Sequence, residues 1–495
     1  MWEFNFQVDR DSTGPLFMQV ATSIAQDIVR GRLRPGDRLP GTRTLAVKLG
    51  VNRVTVAAAY DELTAEGWVV THPARGTFVA QKQPTPSRGP EMRASSRDHE
   101  IDEPAYVVPS SLAPTQWLPP SRGLLAFRSS YPDTRLVRVD PLLRAYRRVL
   151  RRSDGRLLGY GEPQGLARLR RAIARMLRET RALAVSAEHV LVTRGSQMAI
   201  ALTSRAFIRQ GDTVAVEEPG YRYAWDAFRH AGATLAAVAV DESGIDIASV
   251  LQIAKRTSLR AVYVTPHHQL PTTVTLRAER RAALLEAAHS HGFVIIEDDY
   301  DHEFHFDGRP VAPLASVDPS VVVYIDTFSK IFAPGIRLGF VVAPTGVVQQ
   351  LTAYRQAIDM QGDPAMEAAI AELIEEEEIQ RHVRRAKRIY ERRRDVLADA
   401  LSRSLGGALS FSVPPGGIGL WTRVDQDIDV DKWAAASHRR GAAFLTGCAF
   451  TIDSERIPFA RFGFACLNEE ELKQAVGRLS AALPEARRAR ARSSA

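Results

Sequence analysis

The chain is 495 residues long, enough for two or more domains and a sizeable core. Hydrophobic residues make up 45% and charged residues 25%, ordinary proportions for a soluble globular protein. The formal charge of +8 admits a nucleic-acid partner without requiring one, while two cysteines, Cys448 and Cys466, exclude a disulfide framework and a cysteine-rich metal site, so no metal is assigned.

No run of about eighteen apolar residues occurs, and the opening MWEFNFQVDRDSTG lacks the basic-then-apolar pattern of a secretory signal; a cytoplasmic location is expected. The basic excess is not concentrated at the front, where the first eighty residues hold nine Lys and Arg against eight Asp and Glu. Part of it lies in residues 486–495, a basic tail expected to be disordered.

Residues 18–30 place Val20, Ile24 and Ile28 on one face of an amphipathic helix that LRPGDRLP ends. Leu45, Ala46 and Leu49 give a second short helix its apolar face, and Gly50-Val51 turns the chain into Asn52, the N-cap of a third helix over residues 53–66. Val56, Tyr60 and Leu63 form the stripe that this helix buries. Trp68-Val69-Val70 and Thr77-Phe78-Val79, with a turn through HPARG between them, read as a hairpin. Three helices and a hairpin within about sixty residues predict a winged helix-turn-helix.

The string LRPGDRLPGTRTLAVKLGVNRVTVAAAYDELTAEGWVVTHPARGTFV, nearly the whole of this domain, resembles the GntR family of bacterial repressors. That resemblance implies that Arg43 and Arg53 contact DNA and that Gly76 lets the wing approach the minor groove. The chemistry suits the reading: the start of the third helix, with Asn52, Arg53 and Thr55, offers backbone N–H groups to phosphates and side chains to base edges. The family usually has Ser where this chain has Gly41 and Asn52. Asn52 can still cap and donate, whereas Gly41 gives up a hydroxyl contact.

Residues 81–116, rich in Pro, Ser and charge, predict a flexible linker between a DNA-binding domain at 1–80 and a large domain at 117–485. In the large domain, strand-like runs at 190–192, 213–216, 261–264, 293–296 and 321–325 alternate with helical stretches such as 168–177 and 277–289. This alternation predicts a mostly parallel sheet with helices on both faces, and ligands bind beyond the carboxyl ends of such strands.

Each polar cluster falls at one of those ends. After the first run, Gly195, Ser196 and Gln197 can present N–H groups to a phosphate, although a GS turn often only caps a helix. After the second, Tyr221 in EEPGY can stack on a planar ring or simply pack. After the fourth, EDDY offers a carboxylate to a protonated pyridine nitrogen, to magnesium or to solvent. Residues 321–342, VVVYIDTFSKIFAPGIRLGFVV, then set Lys330 just past a rigid buried strand. A lysine in such a pocket can lose its proton at moderate pH and form an imine with an aldehyde cofactor, and Arg337 can clamp an anionic group of that cofactor. By themselves, a lysine and an arginine at this spacing more often lie in solvent.

In order, the strings LGYGEPQGLARLR, LVTRGSQMAI, VEEPGY, VTPHHQLPTT, VIIEDDYDHEF, DTFSKIFAPGIRLGF and ARFGFACL resemble fold-type I aminotransferases over residues 127–483. The resemblance implies pyridoxal 5'-phosphate (PLP) as cofactor, held by Lys330 as an internal aldimine. Asp298 would pair with the pyridine nitrogen, Tyr300 with the phenolic oxygen, and Tyr221 would stack on the ring. Ser196, Gln197, Thr327 and Arg337, with Ser329 beside them, would hold the phosphate. Arg461 stands where the family binds a carboxylate, and Tyr160 matches a residue that reaches the cofactor of the opposite subunit, implying a homodimer. Leu270 replaces the family's asparagine, Thr273 and Ser130 replace frequent glycines, and Gly419 replaces a frequent histidine. These four positions border the substrate side and leave the ligand open.

The run EEEEIQRHVRRAKRIYERRRD, from Glu375, reads as a solvated helix with acid at its start and base at its end, or as an extra DNA contact. Taken whole, the chain resembles the MocR subfamily of GntR-type transcriptional regulators. The expected fold is α/β: a winged helix-turn-helix joined by a linker to a fold-type I PLP-dependent aminotransferase-like domain. The resemblance implies a regulator of promoter DNA that senses a small amino compound as the compound's amine exchanges with Lys330, without net turnover in the cell. Two alternatives stay open: an active aminotransferase carrying a DNA-binding module, and a regulator that senses PLP itself. The resemblance implies an aminotransferase-type PLP site, and whether Lys330 completes a transamination half-reaction stays open.

Overall fold

Hydrophobic spacing builds the first unit. Helices Leu16–Val29, Thr42–Leu49 and Arg53–Ala65 precede an antiparallel hairpin of Val69–His72 with Gly76–Val79. Val20, Ile24 and Ile28 of the first helix meet Leu45 of the second, Val56, Tyr60 and Leu63 of the third, and Val69 and Val79 of the hairpin in one core. The second helix starts three residues before its apolar face because Thr42, Arg43 and Thr44 form a polar first turn that hydrophobic patterning does not register. Asn52 caps the third helix, its side chain accepting the Val54 N–H at 3.0 Å. Asn52→Ala is expected to cost about 1 kcal/mol locally, read as roughly fivefold faster hydrogen exchange at the Val54 amide.

The structure, a computed structural model, describes residues 6–11, 14–84, 123–308 and 311–487. The chain divides into two compact units, Met1–Ala113 and Pro114–Ala495. Most of the expected linker, and the basic tail beyond Arg487, lie outside the described residues. Among the described residues no helix is long and apolar enough to cross a membrane.

The second unit is built on an eight-stranded sheet in the order Val190–Thr193, Gly339–Val342, Val322–Thr327, Val294–Asp298, Leu259–Val264, Thr213–Glu218, Thr234–Asp241, Gly244–Ile245. The five strands from Val322–Thr327 to Thr234–Asp241 run parallel; Gly339–Val342 is antiparallel to both of its neighbours. Central strands are buried along their length, so alternate residues serve opposite faces. Val322 and Tyr324 join one core cluster while Val323 and Ile325 join the other, and Ile295 and Ile296 divide in the same way.

A second, antiparallel sheet of Leu409–Ser410, Gly419–Val424, Phe459–Gly463 and Leu445–Thr446 carries the smaller part of this unit. Here the expectation for the Glu375 run needs correction. Helix Pro364–Glu375 ends inside the acidic string, Glu377 takes a left-handed φ of 59°, and a new helix, Glu378–Leu405, starts after it. Nor is this helix solvated all round. Arg393 is buried and pairs with Asp133 at 2.9 Å, and Arg394 packs its guanidinium over Phe306.

Candidate functional site

Parallel strands end together, and their ends surround a cavity of about 400 Å³. Its lining includes Ser196, Tyr221, Asp298, Tyr300 and Lys330, brought from four places in the chain. Leu270, Leu445, Ala449 and Phe450 supply an apolar wall, and Ser129, Ser130 and Tyr131 a further side.

Lys330 is half-buried in the short turn Phe328–Ile331, which Thr327 caps. Burial lowers its pKa from the ordinary lysine value; Asp298 and Asp301 oppose that shift and Arg337 adds to it. Asp298 closes its strand and is 3% exposed. Its Oδ2 accepts the Tyr263 hydroxyl at 2.7 Å, whereas Oδ1 is buried with no hydrogen-bond partner among the described residues. Burial pushes the Asp298 carboxyl up to about 7, against the pull of the Tyr263 hydrogen bond. A cationic ring nitrogen would relieve that unpaired oxygen.

The anion end is equally local. Gly195, at φ 82°, precedes helix Ser196–Phe207, whose first N–H groups have no partners within the helix. The Arg337 guanidinium packs against Gly195, 3.3 Å from where a Cβ would lie, and donates to the Arg194 carbonyl at 2.8 Å. Gln197 donates to the Tyr223 carbonyl at 2.9 Å, leaving its Oε1 unpartnered among the described residues.

Other expected residues are placed differently. Thr327 does not line the cavity; its hydroxyl donates to the Leu338 carbonyl at 3.1 Å and accepts the Ser329 N–H, so it shapes the lysine turn. The Tyr300 hydroxyl reaches the His268 carbonyl at 3.0 Å. Arg461 is fully buried outside the cavity lining, its Nε donating to Ser129 Oγ at 2.8 Å and its Nη1 to the Pro271 carbonyl. Tyr160 is 89% exposed. Ser130 and Thr273 keep the left-handed φ that favours glycine, 51° and 66°. A Cβ at Gly419 would lie 3.1 Å from the Arg461 guanidinium, so a side chain there would make the arginine shift by a few tenths of an ångström.

Two contributors escaped the sequence reading. Tyr263, which holds Asp298, shows only as one hydroxyl within the strand Leu259–Val264. The apolar wall from residues 445–450 carries no motif and comes from the smaller part of the unit. In the first unit Arg43, Asn52 and Arg53 are exposed and Thr55 is half-buried. The wing glycine, Gly76, has φ 109° and takes the Arg38 guanidinium against its open side. Val47 and Val54 are 84% and 72% exposed on the second and third helices, methyl surface of the kind that meets thymine.

The second unit's residues fit PLP: a lysine with a lowered pKa, a carboxylate oxygen lacking a partner and a helix N-terminus beside an arginine converge on one site. When bound, that cofactor supplies an aldehyde carbon open to amines and a ring that withdraws electrons.

Residues 130–479 match the family described as aminotransferase class I and II, and residues 16–79 match the bacterial regulatory proteins of the gntR family. The "Probable rhizopine catabolism regulatory protein MocR" of Rhizobium meliloti is 31% identical, with 96% of this chain and 95% of that protein covered. The "HTH-type pyridoxine biosynthesis transcriptional regulator PdxR" of Corynebacterium glutamicum is 31% identical, covering 77% of this chain and 78% of that one. Among solved structures, LysN, the alpha-aminoadipate aminotransferase of Thermus thermophilus complexed with N-(5'-phosphopyridoxyl)-L-leucine, matches with a TM-score of 0.69 and 28% identity, over 73% of this chain and 92% of that one. A DNA-reading unit followed by a PLP site on an aminotransferase fold is the arrangement these matches share with the sequence, and the chain belongs to the MocR-type GntR regulators, PLP-dependent DNA-binding transcription regulators whose second domain is of the aminotransferase class I and II family.

Proposed function

We propose that the aminotransferase-like domain senses a small amino carboxylate with an apolar body, and that this ligand changes how the winged helix-turn-helix binds promoter DNA. Arg461 carries the reading. Two of its nitrogens are held by Ser129 and Pro271, while Nη2 is buried with no partner among the described residues, which suits an anion arriving beside the cavity. Leu270, Leu445, Ala449 and Phe450 then favour an uncharged body.

In this reading Lys330 carries the cofactor and gives it up to the incoming amine, Asp298 partners the ring nitrogen, and Tyr221 and Tyr300 flank the ring. Ser196, Gln197 and Arg337 hold the phosphate, with Thr327 and Ser329 shaping the turn beside them. The exposed ring of Tyr160 supports a homodimer in which it reaches the partner's site. The domain limits are 1–80 for the DNA reader, 81–116 for the linker, 117–485 for the sensor and 486–495 for the tail. A ligand acts on DNA binding only by favouring one of two conformations of the protein.

Titration of promoter DNA with the full-length protein, with and without a panel of amino acids, tests this. At least one amino acid should change the affinity, and Arg461→Ala should remove that response; no response from the parent protein sinks the sensor reading. Arg53→Ala is expected to weaken DNA binding by about tenfold or more and to lower the salt dependence by about one charge. Equal affinity of Arg53→Ala and parent would remove Arg53 from the interface.

A second reading rests on the same cavity, which holds the groups a transaminase uses. Sustained turnover of an amino donor with a keto acid at about 1 s⁻¹ or faster would replace sensing by catalysis. The relative named for pyridoxine biosynthesis favours a third, that PLP itself is the signal. DNA binding that responds to PLP and to no amine would establish it.

A further inference from the structure

Beside Asp298, but outside the cavity lining, two loops bring His267, Asp299 and His302 together. Their ligating atoms all lie within 4.8 Å of one another. His267 Nδ1 is 2.7 Å from Asp299 Oδ1, and His302 Nδ1 is 3.1 Å from Asp299 Oδ2. The imidazoles meet edge to face with centroids 4.4 Å apart, and no side chain of the three is more than 6% exposed. Yet His267 Nδ1, His302 Nδ1 and Asp299 Oδ1 make no hydrogen bond among the described residues. The atoms approach closely but off the line an N–H would need.

The surroundings determine what faces inward. His267 Nε2 lies against the Val311 carbonyl, which only accepts, so that nitrogen carries a proton and Nδ1 is the atom left to face the carboxylate. In the neutral ring two electron-rich atoms then meet, and either a second proton on Nδ1 or a metal ion between them satisfies both. Asp299 Oδ2 accepts the Tyr324 hydroxyl at 2.8 Å, and that hydroxyl accepts from Arg181 at 2.7 Å. A histidine whose far N–H is held by a backbone carbonyl, and a carboxylate held by a hydroxyl, are the outer partners that metal ligands carry.

We infer that His267, Asp299 and His302 form a binding site for one divalent transition-metal ion of the zinc class. Two imidazole nitrogens and one carboxylate favour zinc over magnesium and calcium, which take oxygen ligands. Tetrahedral donors about 2.0–2.2 Å from an ion stand about 3.3–3.6 Å apart, so the pairs that lie 2.7 and 3.1 Å apart would open by roughly half an ångström to take one. All three side chains are buried and the cluster sits one residue from Asp298, so an ion there, its fourth position taken by a water, ties the loop after Leu259–Val264 to the end of Val294–Asp298 and steadies Asp298.

Full-length protein produced in zinc-supplemented medium and then dialysed should retain about one zinc per chain by elemental mass spectrometry. Chelation should lower its Tm by at least about 3 °C, and zinc should restore it. His302→Ala and His267→Ala should each lose at least about tenfold in zinc affinity and the response to chelation. If either variant fails to fold, cobalt replaces zinc in the parent protein, where visible d–d absorption characteristic of nitrogen and oxygen ligands is expected. Parent protein that keeps no zinc after dialysis and whose Tm ignores zinc and chelator overturns the site; the cluster is then an imidazolium–carboxylate ion pair. Retention of zinc by both variants overturns it equally, since the ion would lie elsewhere. Absence of the cobalt spectrum does the same.

Discussion

Lys330→Ala is expected to abolish the visible absorbance of lysine-bound cofactor and every response of DNA binding to amines, while hydrogen exchange in the winged helix-turn-helix stays unchanged. The lysine sits in a turn held by Thr327 and lines the cavity, where burial lowers its pKa. Only a neutral amine attacks an aldehyde, so folding itself prepares this side chain. The sign follows. Between the lowered and the ordinary lysine value the unfolded chain binds the extra proton, so stability rises with pH through that window, whereas cofactor loading rises as pH passes the lowered folded value and the amine becomes neutral. Lys330→Arg keeps a cation but offers no neutral amine, and should fail as completely. Borohydride treatment and peptide mass spectrometry provide the check: pyridoxyl modification should appear on the Lys330 peptide of the parent alone. Modification of another lysine, with undiminished absorbance in Lys330→Ala, would move the cofactor elsewhere.

Arg181→Ala is expected to destabilise the second unit by roughly 3–5 kcal/mol. The Arg181 side chain is fully buried and bridges Asp326 and Glu303, whose side chains are 1% and 18% exposed, while also donating to the Tyr324 hydroxyl. Removing it leaves buried carboxylates without their cation, which costs far more than the pair contributes when intact. Asp326 also accepts the Thr327 N–H, so the damage reaches the strand end that carries Lys330. Urea unfolding should show the loss, with weaker cofactor retention below the transition. Combining Arg181→Met with Asp326→Asn and Glu303→Gln should recover much of the stability, because no uncompensated charge remains. If Arg181→Ala unfolds at the parent midpoint, the cluster is structurally idle.

Much of this protein is written locally. The stripe of Val56, Tyr60 and Leu63, the Asn52 cap and the turn glycines specify the DNA reader, since helical period and capping act over a few residues. Likewise the apolar run at 321–325 specifies a buried strand, and GS after a strand specifies a helix N-terminus. The two departures from glycine at Ser130 and Thr273 are visible in sequence as differences from a family. That both retain left-handed backbone is visible only in the fold.

Tertiary structure decided which of these pieces meet. Asp298 stands beside the Lys330 strand because Ile325 pairs with it across parallel strands, and Tyr263 reaches Asp298 from the next strand over. Resemblance marked Arg461 as a candidate carboxylate ligand, but that it lies buried and bonded to Ser129 and the Pro271 carbonyl shows only in the fold. His267, Asp299 and His302 form no sequence motif and gather only through strand order. Periodicity and capping are properties of short segments, so the sequence by itself determined the elements, the place of Lys330 just past a buried strand and the capped third helix. Contacts across tens to hundreds of residues depend on how the sheet is wound, so the partners of that lysine, the apolar wall and the buried histidine cluster waited on the fold.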